Sequence, residues 1–250
     1  MNSKEQLEMS FFETEYWWHK GKKYLIEHLL NKFFSKDRHG KLKIFEIGCG
    51  TGEISKMLQK YGTVSGLDIS ETAADEYERK CGIRPLIGDI NELNLESLKN
   101  SFDLILALDV LEHVQDDIKA MERVKFLLKK DGVFFINVPA YKFIWSEHDE
   151  ALQHKRRYST YELTEKLKRA GFNIELNSHF VCMSFPLIAF YRVWGNFFGK
   201  SAFPKTTYIK LPKKLNTIMY KMLQVETKLL TKFRLPLGST ITVVAKQSSV

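Results

Sequence analysis

The sequence predicts an α/β chain with a mostly parallel sheet covered by helices on both faces, and three observations carry that prediction. From residue 42 to residue 138, short and nearly continuous apolar runs alternate with stretches of helical period. Acids close successive runs at Glu46, Asp68, Asp89 and Asp109. The first run opens onto Glu46-x-Gly48-x-Gly50-x-Gly52 and a helical stretch. That strand, glycine turn and helix is the order in which such sheets meet a nucleotide-like ligand.

Residues 5–34 read as one helix, with Leu7, Phe11, Leu25, Leu29, Leu30 and Phe33 along an apolar face and Tyr16, Trp17, Trp18 and His19 in its middle. A polar connector, 37–41, follows. Strands are expected at 43–47, 63–68, 84–88, 102–108 and 133–138, and helices at 52–61, 71–81, 92–99 and 115–130. Right-handed crossovers between parallel strands place every strand's C-terminal end on one edge, so the residues just past each strand are the candidate ligand groups. Ser159 has the character of an N-cap, with Glu162 three residues on for a capping box. The helix it opens ends at Gly171, and strand character resumes over 173–181 and again over 240–246.

Composition narrows the function classes. The chain has 250 residues, 44% hydrophobic and 27% charged, enough for one α/β domain with an elaboration. Cys49, Cys81 and Cys182 show no paired spacing, which excludes a zinc ribbon and a disulfide framework and indicates a reducing, cytoplasmic compartment. Residues 1–15 lack the basic start and apolar core of an export signal. Net charge is +8, but residues 183–236 hold ten Lys and Arg against the single acid Glu226, a local +9 that leaves −1 for the remainder. The basicity therefore belongs to one segment, which is the candidate for meeting an anionic surface.

The glycine turn excludes two common nucleotide sites. Glu53 stands where a dinucleotide fingerprint has its third glycine, and no Lys-Ser/Thr pair follows as in a P-loop. Asp68, twenty residues beyond Gly48, suits the hydroxyls of a ribose, and Asp89 with Ile90 suits the amino group and ring of an adenine. An N-cap role would explain any one of these acids alone.

The successive motifs from Phe45 to Gly52, Gly66 to Ser70, Gly88 to Ile90 and Phe102 to Val114, with Leu127 to Pro139, resemble those of the class I S-adenosylmethionine (SAM)-dependent methyltransferases. The resemblance covers 43–182 and the last strand. It implies a Rossmann-like seven-stranded sheet, mostly parallel with an antiparallel last strand, and SAM as cofactor with S-adenosylhomocysteine as product. Carried over residue by residue, it assigns the methionine portion to Glu46 and the glycine turn with Gly48, Cys49, Gly50 and Gly52. It assigns the ribose to Asp68 beside Ile69 and the adenine to Asp89 and Ile90, with Leu108 and Asp109 completing the cofactor set. In this family N-terminal helices often lie over the cofactor, which makes Trp17, Trp18 or His19 candidate shields. The organisation expected is an N-terminal helical cap (1–41), a SAM-binding core (42–182), a basic helical insertion (183–236) and the last strand with its tail (237–250).

Methyl transfer from a sulfonium needs in-line alignment and, for a hydroxyl or amine acceptor, removal of a proton. Two places offer the base. Asp109, Glu112 and His113 would share a face if a helical turn began after the fourth strand. His113 is then a candidate base, and the trio also resembles a carboxylate–carboxylate–histidine metal set, although Glu-His-Val at this point is widespread in metal-free relatives and no metal is expected. The second place is the loop 139–158, too long for a plain connection. It holds the candidate bases His148 and His154 and the candidate acceptor-binding residues Trp145, Arg156, Arg157 and Tyr158. Its Trp-x-x-His-Asp and His-x-Arg-Arg-Tyr resemble a subgroup of bacterial methyltransferases in glycan or secondary-metabolite pathways. The alternative for the arginines is pairing with Glu147, Asp149 and Glu150 to order the loop.

The insertion separates the last two strands by nearly sixty residues. Its part 180–199 is aromatic and apolar, yet Pro186, Arg192, Gly195 and Asn196 argue against a membrane span. Residues 213–233 read as a basic amphipathic helix, suited to an anionic membrane, to a lid over a lipid-like acceptor, or to an added helical layer or dimer interface. The expected function is O-methylation of a small-molecule or lipid- or glycan-linked acceptor by a cytoplasmic enzyme, peripheral to the inner membrane face if the insertion meets lipid. An RNA methyltransferase using the basic segment and a non-catalytic SAM-binding protein are the alternatives. Nucleic acid is the less favoured partner, because no RNA-binding motif accompanies the charge.

Overall fold

The computed structural model describes residues 14–198 and 211–247, with side chains as far as Trp194 in the first stretch. The described residues form two units. One contains 36–142, 153–178 and 240–247, and the other 14–35, 143–152, 179–198 and 211–239.

The first unit is built on the sheet. Strands β1 (Leu42–Ile47), β2 (Gly62–Asp68), β3 (Leu86–Ile87), β4 (Phe102–Leu108), β5 (Leu128–Pro139), β6 (Phe172–Phe180) and β7 (Thr240–Gln247) lie in the order β3-β2-β1-β4-β5-β7-β6. Pairs β1–β2, β1–β4, β2–β3 and β4–β5 are parallel, whereas β7 runs antiparallel to β5. Every residue of β4 but Leu108 is buried, as a strand covered on both faces requires. Phe45, Ile105, Phe134, Ile136 and Val243 are centred in the core, with Met121 and Val124 of α4 and Leu163 and Leu167 of α6 packed in.

The helices of this unit are α2 (Glu53–Leu58), α3 (Glu71–Cys81), α4 (Asp117–Leu127) and α6 (Thr160–Arg169). Side-chain oxygens of Ser70, Asp116 and Ser159 cap the last three. The side chain of Glu162 pairs with Lys142 and Lys166. Two sequence expectations need correction. The helix expected at 92–99 is only a 3₁₀ turn, Glu96–Leu98, because Asp89 and Asn94 accept hydrogen bonds from the backbone N–H groups of Asn91 and Glu96. The helix expected at 115–130 yields to β5 at Leu128, and β5 is correspondingly longer than 133–138.

The second unit is helical. It contains α1 (Trp17–Phe33), α5 (Glu147–Ala151), α7 (Phe185–Phe198) and α8 (Lys213–Leu230). Helices α1 and α8 pair side by side in the same direction. Asn216 accepts from the Trp17 N–H at 2.9 Å and donates to the Glu15 carbonyl, and at the other end Lys32 reaches the Thr231 carbonyl. A Cβ on Gly21 would stand 2.2 Å from Leu223, so a side chain there would force the helices apart. Glu226, the one acid of the basic segment, is buried and accepts from the N–H groups of Cys182 (2.9 Å) and Met183 (2.7 Å) just before α7. Burial raises its carboxyl, and those backbone bonds oppose the rise. Burial, and then Glu226, pushes the Cys182 thiol up to about 12. Residues 143–152, expected within the core, group with these helices, and part of the helix expected at 5–34 lies outside the described residues.

Candidate active site

Parallel pairing aligns the cofactor candidates along one edge. Register sets Ile47 opposite Leu67 and Ala107, Asp68 opposite Ile87, and Leu108 opposite Asn137. The residues that follow, namely the glycine turn, Ile69, Asp89 and Asp109, therefore emerge together.

The turn after β1 depends on glycine. Gly48 has φ +68° and lies where a Cβ would stand 2.3 Å from Val110, so both conformation and space exclude a side chain. Gly50 has φ +49°, but a Cβ there would meet nothing within 4 Å. The space above Gly50 is open, and its N–H donates to Asp68 Oδ2 at 2.7 Å. Ser70 N–H holds the other carboxylate oxygen at 2.9 Å. Each oxygen keeps a lone pair, so Asp68 is fixed in place and still able to accept from two hydroxyls. Beside it Ile69 is 77% exposed, an apolar surface left uncovered at the edge. Asp89 is held by the Asn91 N–H, and Ile90 next to it is buried. Glu46 is buried beneath the turn and accepts from the Ser55 hydroxyl at 2.5 Å, tying β1 to α2. Cys49 is buried too; burial and then the charges of Glu46 and Asp68 raise its thiol far above the ordinary range, so it packs as a neutral side chain against Gly66. An open backbone cradle, a fixed acid and an exposed apolar side chain fit SAM.

The trio after β4 is not on a helix. Asp109 has φ +57° and donates its N–H to the Asn137 carbonyl at 2.9 Å, and α4 begins only at Asp117. A non-glycine residue in that conformation is strained, as residues at functional edges often are. Asp109, Glu112 and His113 therefore do not share a helical face. His154 takes the third place instead. Donor atoms of Glu112, His113 and His154 lie within 4.8 Å of one another, and the two imidazoles meet edge to face at 4.7 Å. The Glu112 side chain is fully buried, His154 half-buried and His113 exposed. Partial burial and then the neighbouring His154 lower the His113 pKa, with Asp109 opposing.

The chain reaches this arrangement through 154–158. Tyr158 pairs with Ala140 in a short parallel bridge, Tyr158 N–H donates to the Pro139 carbonyl, and Lys155 N–H donates to the Glu112 carbonyl at 2.8 Å. The Tyr158 hydroxyl donates to Asp117 at 2.7 Å, and Lys166 (2.7 Å) and Arg156 (3.0 Å) converge on the same carboxylate. Burial pushes the Asp117 carboxyl up, but these partners outweigh it and hold it below its ordinary range. Burial and then Asp117 raise the Tyr158 phenol. Arg156 also donates to the Gln115 carbonyl, and buried Arg157 donates to the Ala140 carbonyl. Arg156, Arg157 and Tyr158, three of the four residues expected to bind the acceptor, thus bond to the protein itself, and Asp117, which the sequence reading missed, anchors Arg156 and Tyr158. The Asp-Asp pair ahead of α4 was its only signal.

The remaining candidates belong to the helical unit. His148 and Trp145 are half-buried at α5, where Ser146 and Asp149 form a capping box and Arg192 bonds the buried Asp149 at 3.2 Å. Trp17 and Trp18 pack edge to face, and Trp18 lies against Phe180 at 6.0 Å.

A family model for the methyltransferase domain matches residues 17–177. The chain belongs to this methyltransferase family. Its fold is the class I SAM-dependent one, and its cofactor is SAM. This methyltransferase is 29% identical over 154 residues to the ubiquinone biosynthesis O-methyltransferase of Actinobacillus pleuropneumoniae serotype 7, covering 55% of the chain and 66% of the relative. It is 31% identical over 173 residues to the enzyme of the same name from Paraburkholderia phymatum, covering 62% and 75%. The methyltransferase thus spans just under two thirds of the Actinobacillus relative's length. Among solved structures, an S-adenosylmethionine-dependent methyltransferase from Mesorhizobium loti superposes with a TM-score of 0.59 at 18% identity, over 88% of this chain and 96% of that one. A TehB-like methyltransferase from Corynebacterium glutamicum gives 0.55 at 17% identity, over 91% and 88%.

Proposed function

We propose that this methyltransferase O-methylates a hydroxyl on a small or lipid-linked acceptor, with the His113–His154 pair as the base. The observation that carries the reading is the meeting of two imidazoles at a buried carboxylate, on the loop that leaves β4 at the cofactor edge. Relatives named as O-methyltransferases support oxygen as the acceptor atom.

Bound SAM supplies a methyl group already activated on its sulfonium. The glycine turn would hold the methionine portion of that cofactor, Asp68 its ribose, and Asp89 with Ile90 its adenine. The imidazole takes the hydroxyl proton as the oxygen forms its bond to carbon and the carbon–sulfur bond breaks. Products are the methyl ether, S-adenosylhomocysteine and a protonated histidine that returns its proton to water. Lowering of His113 suits this role, since a base must be neutral at the working pH.

The test combines acceptor discovery with variants. Tritiated-methyl transfer into cell extract fractionated into lipid, glycan and RNA should label an acceptor in the lipid or glycan fraction at oxygen. Label in RNA alone would overturn the reading. With the acceptor in hand, replacement of the true base by Gln should lower kcat by 10²- to 10⁴-fold while leaving SAM affinity unchanged. If His113 is that base, the acid limb of the wild-type pH profile should lie below pH 6.5. If both His113→Gln and His154→Gln retain wild-type kcat, neither is the base.

One observation favours a second reading. Glu112, His113 and His154 offer one carboxylate and two imidazole donors close enough for a divalent cation. Such an ion would bind the acceptor oxygen and lower its pKa. Loss of activity in chelator, restored by a divalent metal and absent from Glu112→Gln, would favour it over the metal-free base.

A further inference from the structure

Helix α8 has two apolar faces, and packing within its unit uses one of them. Leu223, Glu226, Thr227 and Leu230 are buried, the first of them against α1 at Gly21. Leu215, Ile218, Val225 and Leu229 are instead 38 to 54% exposed. With half-buried Met222 they recur at alternating steps of three and four, which sets them in one stripe along the helix. Lys214, Lys221 and Lys228, each exposed and seven residues from the next, run along one border of the stripe. The only acid in the helix, Glu226, faces inward. Beyond the helix, exposed Lys232, Phe233 and Arg234 continue the same mixture.

We propose that this outer face of α8 seats the methyltransferase on an anionic lipid surface. Charge complementarity selects that occupant. A second copy would bring one lysine row against another with no exposed acid on the helix to meet it, whereas an anionic headgroup layer neutralises the row. Lysine stems cover apolar surface while their ammonium groups stay at headgroup level, so the row and the stripe enter the same interface at different depths. No helix among the described residues is long and apolar enough to cross a membrane, so the contact is peripheral. The proposal does not depend on which histidine is the base or on the identity of the acceptor.

The experiment is co-sedimentation of the full chain with vesicles of phosphatidylcholine alone or with about one third phosphatidylglycerol, at low and moderate salt. Binding is expected on the anionic vesicles, weakening as salt rises. Each lysine near such a surface contributes about fivefold in partitioning, so Lys214→Gln with Lys221→Gln and Lys228→Gln should lower it on the order of a hundredfold. Ile218→Ser with Val225→Ser and Leu229→Ser should weaken it at every salt concentration. SAM affinity by calorimetry, retained in both variants, certifies that they fold. Equal binding of wild type to both vesicle types, or wild-type binding by both variants, would overturn the proposal. So would a dimer in sedimentation velocity that the serine variant dissociates, since the stripe would then be a protein interface.

Discussion

Gly50 and Asp68 make opposite demands on the cofactor edge, and single substitutions separate them. Alanine at Gly50 meets no neighbour, so its cost to the fold is the left-handed conformation alone, about 1 kcal/mol. Its methyl group would project into the open space above the turn. Gly50→Ala should therefore weaken SAM far more than it lowers the melting temperature. Asp68→Ala removes the acceptor held by the Gly50 and Ser70 N–H groups and should weaken SAM at least tenfold in calorimetry. Wild-type affinity in Asp68→Ala would refute the ribose assignment. Both residues were legible in the sequence, because a glycine pattern and an acid at a strand end act locally. Asp109 was legible as a residue and not as a geometry: its backbone turns left-handed, and nothing in Asp-Val-Leu-Glu-His announces that.

At the scale of elements, the acceptor side is organised by one carboxylate. Asp117, first residue of α4, collects Tyr158 and Arg156 from the loop and Lys166 from α6. This network fixes the segment that carries His154 to His113. Asp117→Asn keeps the shape and removes the charge on which two cations converge. It should cost roughly 2 kcal/mol in chemical denaturation and lower kcat with little change in SAM affinity, as expected of a residue that positions another. An unaltered kcat would show that His154 needs no such anchor. The sequence marked 139–158 as functional by its length and its His and Arg content, but it could not divide the labour. Which arginine meets a substrate and which a carbonyl depends on partners some forty residues distant, such as Gln115 for Arg156. Strands β1, β2, β4, β6 and β7 were readable to within a residue at each end, β4 because burial on both faces writes a continuous apolar run. The strand expected at 84–88 narrows to 86–87, and that expected at 133–138 extends over 128–139. The expected helix at 92–99 failed because Asp and Asn side chains outbid the helix for backbone N–H groups.

For the whole molecule, the two units should respond to acid in different ranges. In the sheet unit, burial pushes Asp103 and Asp117 up, but Lys129, the Lys43 N–H and Arg38 around the first, and Lys166, Tyr158 and Arg156 around the second, hold both below 3.8. A lowered carboxyl contributes stability that is present above its unfolded value and lost as pH falls through the folded one. That contribution disappears below pH 3.8. In the helical unit, burial lowers His179 and His28, whose contribution is complete above pH 6.5 and lost as pH falls through that value. Buried Glu226 is raised above 4.5, so its stabilising protonation is complete below that pH. The helical unit's histidine dependence therefore begins near pH 6.5, whereas that of the sheet unit's two carboxylates begins only below pH 3.8; His113, exposed to water, adds only a screened share to the latter unit. All four tryptophans, Trp17, Trp18, Trp145 and Trp194, belong to the helical unit, so their fluorescence reports it alone. Urea midpoints by fluorescence should begin to fall as pH drops below 6.5, with protonation of Glu226 offsetting part of that fall. Midpoints from the β-sheet signal in far-ultraviolet dichroism should hold to about pH 4 and fall below 3.8. Superimposable transitions at every pH would mean that the two units unfold as one cooperative body, with their charges felt in common.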